Sequence, residues 1–316
     1  MPIFICPSDT RYFRKTAEST TAISIMSRKY KYVCRELHDL TAAYLVRCFS
    51  CGHRKGEQGP KDMKIYAGTS GYGYKEWKGK FYPEKTSPRE MLSFYSGRLG
   101  AVEINNTFYH MPTEGVLTSW AEQVPDDFIF AVKAPQVITH LKRLRNAGDE
   151  TEYLFRALSV LGRKLGPVLF QFPAGFHAER GVLEDFLDLI PANTACAFEF
   201  RSASWLEDEI LDLLRKKGCS LCIADADENP ADAIISTASW GYLRLRRPDY
   251  TDADLSQWME RIFSQKWERA FVFFKHEEGA KGAEMAMRFH ELAAARVKRT
   301  RGVSHSRGRG SDDRSA

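Results

Sequence analysis

The segment Ala197-Phe198-Glu199-Phe200-Arg201 alternates strictly between two kinds of side chain. In a β-strand, Phe198 and Phe200 would face one side, and Glu199 and Arg201 would face the other. A strand with an aromatic face and a charged face has few places in a soluble fold. In a (β/α)8 barrel the outward face packs against helices, and the inward face near the carboxyl end of the strand lines the mouth of the barrel. The segment therefore predicts a barrel strand, provided that other strands repeat the pattern.

From residue 63 onward the sequence alternates between short strands and amphipathic helices. Eight segments have the length and apolar content of strands: 64–68, 101–105, 128–133, 167–172, 197–201, 219–225, 241–246 and 269–275. Helical segments separate most of them, although the connection 226–239 lacks a clear helical period. Eight such steps within residues 63–295 fit the usual barrel size of about 250 residues. We therefore predict one α/β domain, a TIM-like (β/α)8 barrel.

The segments on either side of this predicted domain carry the positive charge of the chain. The formal net charge is +5 for the whole chain, +5 for residues 1–62, +5 for residues 296–316 and −5 for residues 63–295. Whole-chain basicity is therefore no argument that the barrel binds nucleic acid. Residues 1–62 show no sustained period, and we interpret them as an upstream extension before a functional start at Met63, or as an accessory segment. Residues 296–316 are basic, contain few apolar residues and are predicted to be disordered.

Nothing in the sequence predicts contact with a membrane. No apolar run approaches the roughly 20 residues that a membrane-spanning helix needs. Residues 1–15 have no clean apolar core of the kind found in secretory signals. The seven cysteines are scattered, and Cys219 and Cys222 lie in an apolar strand where buried free thiols are expected. These features predict a cytoplasmic protein.

Charged and amide side chains recur near the carboxyl ends of the predicted strands, on the faces that alternation assigns to the interior. We predict Glu103, Glu199 and Asp225 as candidate catalytic residues. The candidate ligand-binding residues are Asn105, Lys133, Gln171, Arg201, Arg244, Arg246 and Lys275, with His276 as an alternative if the register of the last strand shifts by one. Since the carboxyl ends of all strands meet at one end of a barrel, we expect these side chains to converge at its mouth.

Two interpretations of this convergence remain open. Buried charges are costly unless they are paired, so the set could form an ion-pair network that plugs the barrel, with Glu199–Arg201 and Glu103–Arg244 as examples. The set is not balanced, however, because three carboxylates face five cations. That surplus favours an anionic ligand such as a phosphate or a carboxylate.

Further candidates lie in the loops that follow strands. Tyr72 and Trp205 could stack against sugars or bases, or could simply pack the loops. Lys142, Arg143 and Arg145 form a charge run that is either a solvated surface or a binding surface above the mouth.

The sequence gives little support for a metal. Glu103, Glu199 and Asp225 could bind a divalent ion, but no histidine spacing of a recognised metal site accompanies them. We therefore predict no metal, and the cofactor remains unknown. The nearby cations oppose any increase in the pKa of Glu199, so Glu199 is predicted to be an ionised positioning group rather than a proton donor.

Several motifs in this order resemble the YecE-like family over residues 63–292. They are Ile65–Tyr72 with Trp77 and Phe81-Tyr82-Pro83, Val102–Tyr109, Phe130–Lys133, Thr139-His140, Leu169–Pro173, Phe198–Arg201 with Ser204-Trp205, and Tyr242–Leu245. The family is classed as a domain of unknown function, so the resemblance implies a TIM-type barrel but no reaction. Its architecture is similar to the endonuclease IV and xylose isomerase barrels, which suggests phosphate chemistry on nucleic acid by analogy of fold alone. The family pattern implies His-Gly after the arginine of the seventh strand and a pair of asparagines at the end of the eighth strand. This sequence departs from both, with Arg246-Arg247-Pro248 at the first place and Lys275-His276 at the second.

Two functions follow as hypotheses. The first is an enzyme or binding protein for an anionic, phosphate-bearing molecule held at the mouth of the barrel, with hydrolysis of phosphate esters as the first reaction to test. The second is a non-catalytic nucleic-acid-binding protein that uses the loop cations and the Arg-Gly tail. The −5 charge of residues 63–295 favours the first. The oligomeric state is not readable from the sequence.

Overall fold

In the computed structural model, which describes residues 63–306 apart from 229, 232, 276 and 277, eight parallel strands close into a barrel in sequential order. The strands are β1 (Lys64–Ser70), β2 (Ala101–Ile104), β3 (Ile129–Lys133), β4 (Leu165–Gln171), β5 (Cys196–Glu199), β6 (Ser220–Asp225), β7 (Trp240–Leu245) and β8 (Arg269–Phe274). Strand β1 pairs with both β2 and β8, which closes the ring. The predicted TIM-like barrel is confirmed.

Seven α-helices alternate with these strands. They are α1 (Met91–Ser96), α2 (Glu114–Glu122), α3 (Gly148–Leu158), α4 (Arg180–Asp188), α5 (Asp208–Lys217), α6 (Asp252–Phe263) and α7 (Lys281–Ser306). The described part of the connection between β6 and β7 contains no helix. Helix α5 ends at Gly218, whose φ of 65° is the left-handed conformation that favours glycine at this position. Helix α7 continues to Ser306, so the predicted disorder of residues 296–316 is wrong for residues 296–306.

The sheet separates two apolar layers. The inner layer is small and fills the lumen with residues such as Ala131, Leu169, Tyr242 and Phe273. The outer layer is larger and joins the opposite faces of the strands to the helices, with the predicted outward residues Val102, Ile104, Phe170, Phe172, Phe198, Leu243 and Leu245 among its members. The alternation between faces is therefore as predicted for β2, β4, β5 and β7. It directs Glu103, Gln171, Glu199 and Arg244 inward.

Strand β6 contradicts the predicted alternation. Cys222 and Ala224 lie opposite Tyr242 and Arg244, so they share the inward face, while Ile223 and Asp225 lie on the outer face. The prediction that Asp225 faces the mouth was wrong. Both faces of this strand are almost entirely apolar in sequence, so alternation gave no contrast, and the pairing with β7 determines the orientation instead.

Two sequence predictions fall outside the described residues. These are the organisation of residues 1–62 and the disorder of residues 307–316. Cys196, Cys219 and Cys222 are buried free thiols, which agrees with the expectation for the last two. Within the described residues, helices of sufficient length are too polar to cross a bilayer.

Candidate functional site

A buried arginine bridges two buried carboxylates at the mouth of the barrel. The guanidinium of Arg244 donates from Nη2 to Oε1 of Glu103 at 2.9 Å and from Nη1 to Oε2 of Glu199 at 2.6 Å. All three side chains are almost completely buried, at 4 %, 0 % and 3 % exposure. Strands β2, β5 and β7 hold these groups at matching heights because their inward residues lie near the carboxyl ends. We call these three residues the Arg244 triad.

Neighbouring polar groups complete the hydrogen bonding of the two carboxylates of the triad, whereas Nε of Arg244 has no partner among the described residues. The hydroxyl of Tyr242 donates to Oε2 of Glu103 at 2.8 Å, and the amide of Asn105 donates to Oε1 at 3.1 Å. The amide of Gln171 donates to Oε1 of Glu199 at 2.6 Å. Both carboxylates therefore accept hydrogen bonds at both oxygens, as buried charges require.

The electrostatics of the triad keep it fully ionised near neutral pH. Burial alone would raise the pKa of Glu199, but the charge of Arg244 and the hydrogen bonds from Gln171 and Arg244 lower that pKa to about 2. Burial also opposes ionisation of Glu103, and the charge of Arg244 again outweighs it and lowers the pKa. The predicted role of Glu199 as an ionised group agrees with this direction. Neither carboxyl group can act as a proton donor near neutral pH.

The hydroxyl of Tyr242 was not among the sequence-predicted site residues, although it supports Glu103 directly. We expect Tyr242→Phe to lower the free energy of unfolding by about 1.5–3 kcal/mol, the usual value of a hydrogen bond to a charged group. Urea denaturation measures this loss. Tyr82→Phe, which removes a hydroxyl that donates to the uncharged backbone carbonyl of Tyr72 at 2.6 Å, is the comparison, and an equal or larger loss there would contradict the assignment.

Three further cations surround the triad at the mouth. The guanidinium of Arg201 is 43 % exposed and places Nε 3.6 Å from Oε1 of Glu199. Arg246 follows β7 on its inward face, and its Nε is buried with no hydrogen-bond partner among the described residues. Lys133 ends β3, with its Nζ 4.0 Å from the centre of the Phe108 ring. The triad alone carries one net negative charge, and these three cations give the mouth a surplus of positive charge.

Lys133 has an unusual pKa. Burial and the charges of Arg244 and Arg201 together lower it to about 8, against the opposing effect of Glu103 and Glu199. Lys275 extends the inward face of β8 and is half-buried, and its backbone N–H donates to the carbonyl of Leu245 at 3.0 Å. With Lys275, five cations face the two carboxylates of the triad.

Two aromatic side chains that were not selected as site residues lie beside Lys133. The short helix Asn106–Phe108 follows β2, and the hydroxyl of Thr107 donates to the carbonyl of Lys133 at 2.7 Å, which holds Phe108 over the ammonium group. His140 lies in the π-helix Val137–Leu141 and meets the Phe108 ring edge-on at 4.9 Å.

The pKa of His140 is lowered by partial burial and by the charges of Lys133, Arg201 and Arg143. The imidazole is therefore neutral at physiological pH, and its Nδ1 lies 2.9 Å from Oγ1 of Thr139. The Thr139-His140 pair was visible in the sequence as a family motif. Its position at the mouth depends on the π-helix, which no periodicity in the sequence indicates.

Three predicted residues do not join the mouth. Asp225 accepts hydrogen bonds from Arg247 at 3.0 Å and from Tyr250 at 2.7 Å on the outer side of β6. Trp205 is fully buried in the outer layer, stacked on Phe200 at 4.7 Å, so its ring is closed to a ligand. Tyr72 instead lines a groove beside α2 with Pro88, Arg89, Val116 and Trp120. His276 lies outside the described residues.

Most of the loop cations are already paired. Lys142 donates to Glu150 at 2.7 Å, and Arg145 forms an ion pair with Glu179. Arg143 lies 5.9 Å from the centre of the Phe176 ring. This arrangement agrees with the interpretation of the charge run as a solvated surface.

Within the described part of the chain, no three His, Cys, Asp or Glu side chains converge as a metal-binding cluster. The two carboxylates of the triad are already saturated by hydrogen bonds from Arg244, Tyr242, Asn105 and Gln171. The absence of a metal in the functional protein stays a prediction.

Comparison with known proteins identifies the family. The model of the family described as "Protein of unknown function DUF72" matches residues 66–308, which is most of the chain. The chain belongs to the DUF72 family. The matched region contains the whole Arg244 triad and the residues around Lys133. The resemblance to YecE-like proteins is thereby confirmed.

The names of proteins similar to this DUF72 protein state no activity. The UPF0759 protein YunF of Bacillus subtilis is 24% identical over 72% of this chain and 94% of its own length. The UPF0759 protein YecE of Escherichia coli K12 is 34% identical over 43% of this chain and 52% of its own length. A DUF72 family protein from Thermotoga maritima has a crystal structure that is 26% identical, with a TM-score of 0.63, over 72% of this chain and 98% of that one. A DUF72 family structure from Enterococcus faecalis, at 19% identity and a TM-score of 0.60, supports the fold.

Proposed function

We propose that the mouth of the barrel binds an anionic, phosphate-bearing ligand. The observation that supports the proposal is that one cation of the site is paired with carboxylates, whereas two others are not. Arg244 uses both terminal nitrogens to hold Glu103 and Glu199, whereas Lys133 and Arg246 form no ion pair with any described residue. An anion is the group that complements such a surplus of cations in a partly buried site.

Each residue of the site has a distinct part in this proposal. The triad forms a rigid, ionised floor that keeps Arg244 in place and shuts the lumen below. Arg201 is exposed, so its guanidinium can turn from Glu199 toward a phosphate. The unpartnered Nε of Arg246 supplies a buried donor, which is costly unless a ligand or water accepts from it. Asn105 and Gln171 maintain the orientation of the floor rather than contacting the ligand.

Chemistry on such a ligand would depend on few groups. Because the carboxylates of the triad are ionised near neutral pH, proton transfer falls to Lys133 and His140, whose pKa values burial lowers. Hydrolysis of a phosphate ester remains the first reaction to test. The alternative of a nucleic-acid-binding surface is less supported, because Lys142 and Arg145 are occupied by Glu150 and Glu179.

Arg201→Gln is expected to weaken phosphate binding at least tenfold, since one charge-assisted contact to an anion contributes about 1.5–3 kcal/mol. Isothermal titration of the full chain with inorganic phosphate, ribose 5-phosphate and adenosine 5′-monophosphate measures the affinity. Arg145→Gln is the matched control, because Arg145 and Arg201 are equally exposed, at 44 % and 43 %, and each contacts a glutamate. Loss of affinity in the control alone, or no saturable binding by the unaltered chain, would contradict the proposal.

A further inference from the structure

The ammonium group of Lys133 differs from those of three other lysines of the barrel in its hydrogen bonding. The ammonium groups of Lys142, Lys164 and Lys217 each donate hydrogen bonds to carboxylate or carbonyl oxygens at 2.5–2.9 Å. The ammonium group of Lys133 makes no hydrogen bond or ion pair with another described residue, and it lies 4.0 Å from the centre of the Phe108 ring. A lysine that is half-buried, unpaired and directed into a barrel mouth is placed to react rather than to stabilise the fold.

Charged and titratable groups face Lys133 from several elements. They are Glu103 from β2, Glu199 and Arg201 from β5 and the residues after it, Arg244 from β7 and His140 from the π-helix. The two carboxylates are held by Arg244, so they attract the ammonium group less than free carboxylates would. Burial and the cations therefore prevail, and the pKa of Lys133 falls to about 8. A much larger fraction of this amine is neutral near pH 7 than for an exposed lysine.

We infer that Lys133 is a nucleophile that forms an imine with the carbonyl group of a small aldehyde or ketone that also carries a phosphate. This inference deepens the proposed function and rests on it for the phosphate part only. Strands β3 and β7 lie on opposite sides of the closed eight-stranded ring. Lys133 after β3 therefore faces Arg246 after β7 across the mouth. A ligand with a phosphate at one end and a carbonyl at the other would place the carbonyl at Lys133 and direct the phosphate toward Arg246.

The covalent step is balanced as follows. The neutral Nζ adds to the carbonyl carbon, which forms a C–N bond, while the π electrons of the C=O bond move to the oxygen. Nitrogen passes one proton to that oxygen and gives a neutral carbinolamine. A second proton, taken from solvent, converts the hydroxyl into water, which leaves with the electron pair of the C–O bond. A protonated imine on Lys133 and one water molecule are the products, and no oxidant or reductant is consumed.

Reductive trapping tests the inference on the full chain. The protein is treated with D-glyceraldehyde 3-phosphate and sodium cyanoborohydride at pH 7, and intact mass and peptide mapping locate the adduct. We expect one adduct at Lys133, formed at least about tenfold faster than at Lys142, because the lowered pKa of Lys133 leaves more of its amine neutral and the ammonium group of Lys142 is held by Glu150. Lys133→Met should abolish this adduct. Lys142→Met, in the loop after the same strand, should leave it unchanged.

Other outcomes separate this inference from the proposed phosphate site. Labelling spread over surface lysines, with Lys133 no faster than Lys142, would overturn the inference even if phosphate binds. Equal trapping of unphosphorylated glyceraldehyde at Lys133 would support the nucleophile and count against the phosphate site. Because peptide mapping of the unaltered protein identifies the modified lysine, the result stands even if Lys133→Met fails to fold.

Discussion

Replacing Arg244 with methionine should lower the free energy of unfolding by about 3–5 kcal/mol, the usual cost of removing one partner from a buried ion pair. The variant would leave Glu103 and Glu199 in the lumen with no bridging cation. Both carboxylates are almost fully buried, so they would have to take up protons or admit water. Lys133 lies nearby, but the geometry gives it no hydrogen bond to either carboxylate, so it cannot substitute for two guanidinium contacts.

Denaturation in urea at pH 7 measures the change in the free energy of unfolding. If this free energy depends on urea concentration with the same slope in both proteins, the unfolding transition itself is the same. Arg288→Met is the matched control, because Arg288 also contacts two carboxylates, Asp252 and Glu291, but all three side chains are exposed. We expect a loss of at most about 1 kcal/mol there. Adding Glu103→Gln and Glu199→Gln to Arg244→Met should recover part of the stability, since uncharged amides cost less to bury. A similar loss of stability in both arginine variants would show that the buried triad contributes no more to the stability of the fold than an exposed ion pair does.

The sequence predicted which charges converge, because in β2, β5 and β7 each inward charge is flanked by outward apolar residues. Glu103 between Val102 and Ile104 and Arg244 between Leu243 and Leu245 leave only one orientation in which the helices cover apolar residues. Asp225 offered no such contrast, because Ile223 and Cys222 are both apolar. Its orientation follows from pairing with β7, which is a property of the closed ring and not of the strand alone.

The pairs Glu103–Arg244 and Glu199–Arg201, named from the strands, are confirmed, but the bridge from Arg244 to Glu199 was not predicted. Alternation along the strands places Arg244 and Arg201 equally well beside Glu199. Only the three-dimensional structure shows that the buried Arg244 bridges both carboxylates. The exposed Arg201 lies 3.6 Å from Glu199. Trp205 illustrates the same limit for loops. Its position after β5 suggested an exposed ring, but stacking on Phe200 and a hydrogen bond from its Nε1 to the carbonyl of Phe176 at 2.6 Å draw it into the core.

Acidification should remove about 3 kcal/mol of stability through Glu199 alone. Its pKa is about 2 in the folded chain and 4.5 as the ordinary value, and a shift of this size is worth roughly 3 kcal/mol. Because the folded pKa is the lower one, the contribution is fully present above about pH 4.5 and is lost as the pH falls toward 2. The other buried carboxylate, Glu103, shifts in the same direction and adds to the loss.

Urea denaturation of the unaltered chain and of Glu199→Gln between pH 6 and pH 3 separates this contribution. The variant should be less stable at pH 6, because an amide cannot attract Arg244 as a charge does, and its stability should fall less steeply as acid is added. Glu152→Gln changes an exposed side chain, so the stability of this variant should depend on pH in the same way as that of the unaltered chain. If Glu199→Gln loses stability in acid as steeply as the unaltered chain, the titrating group lies elsewhere. The floor beneath Lys133 and Arg246 would then not be held by an ionised Glu199, and the surplus of positive charge at the mouth would be larger than an ionised Glu199 implies.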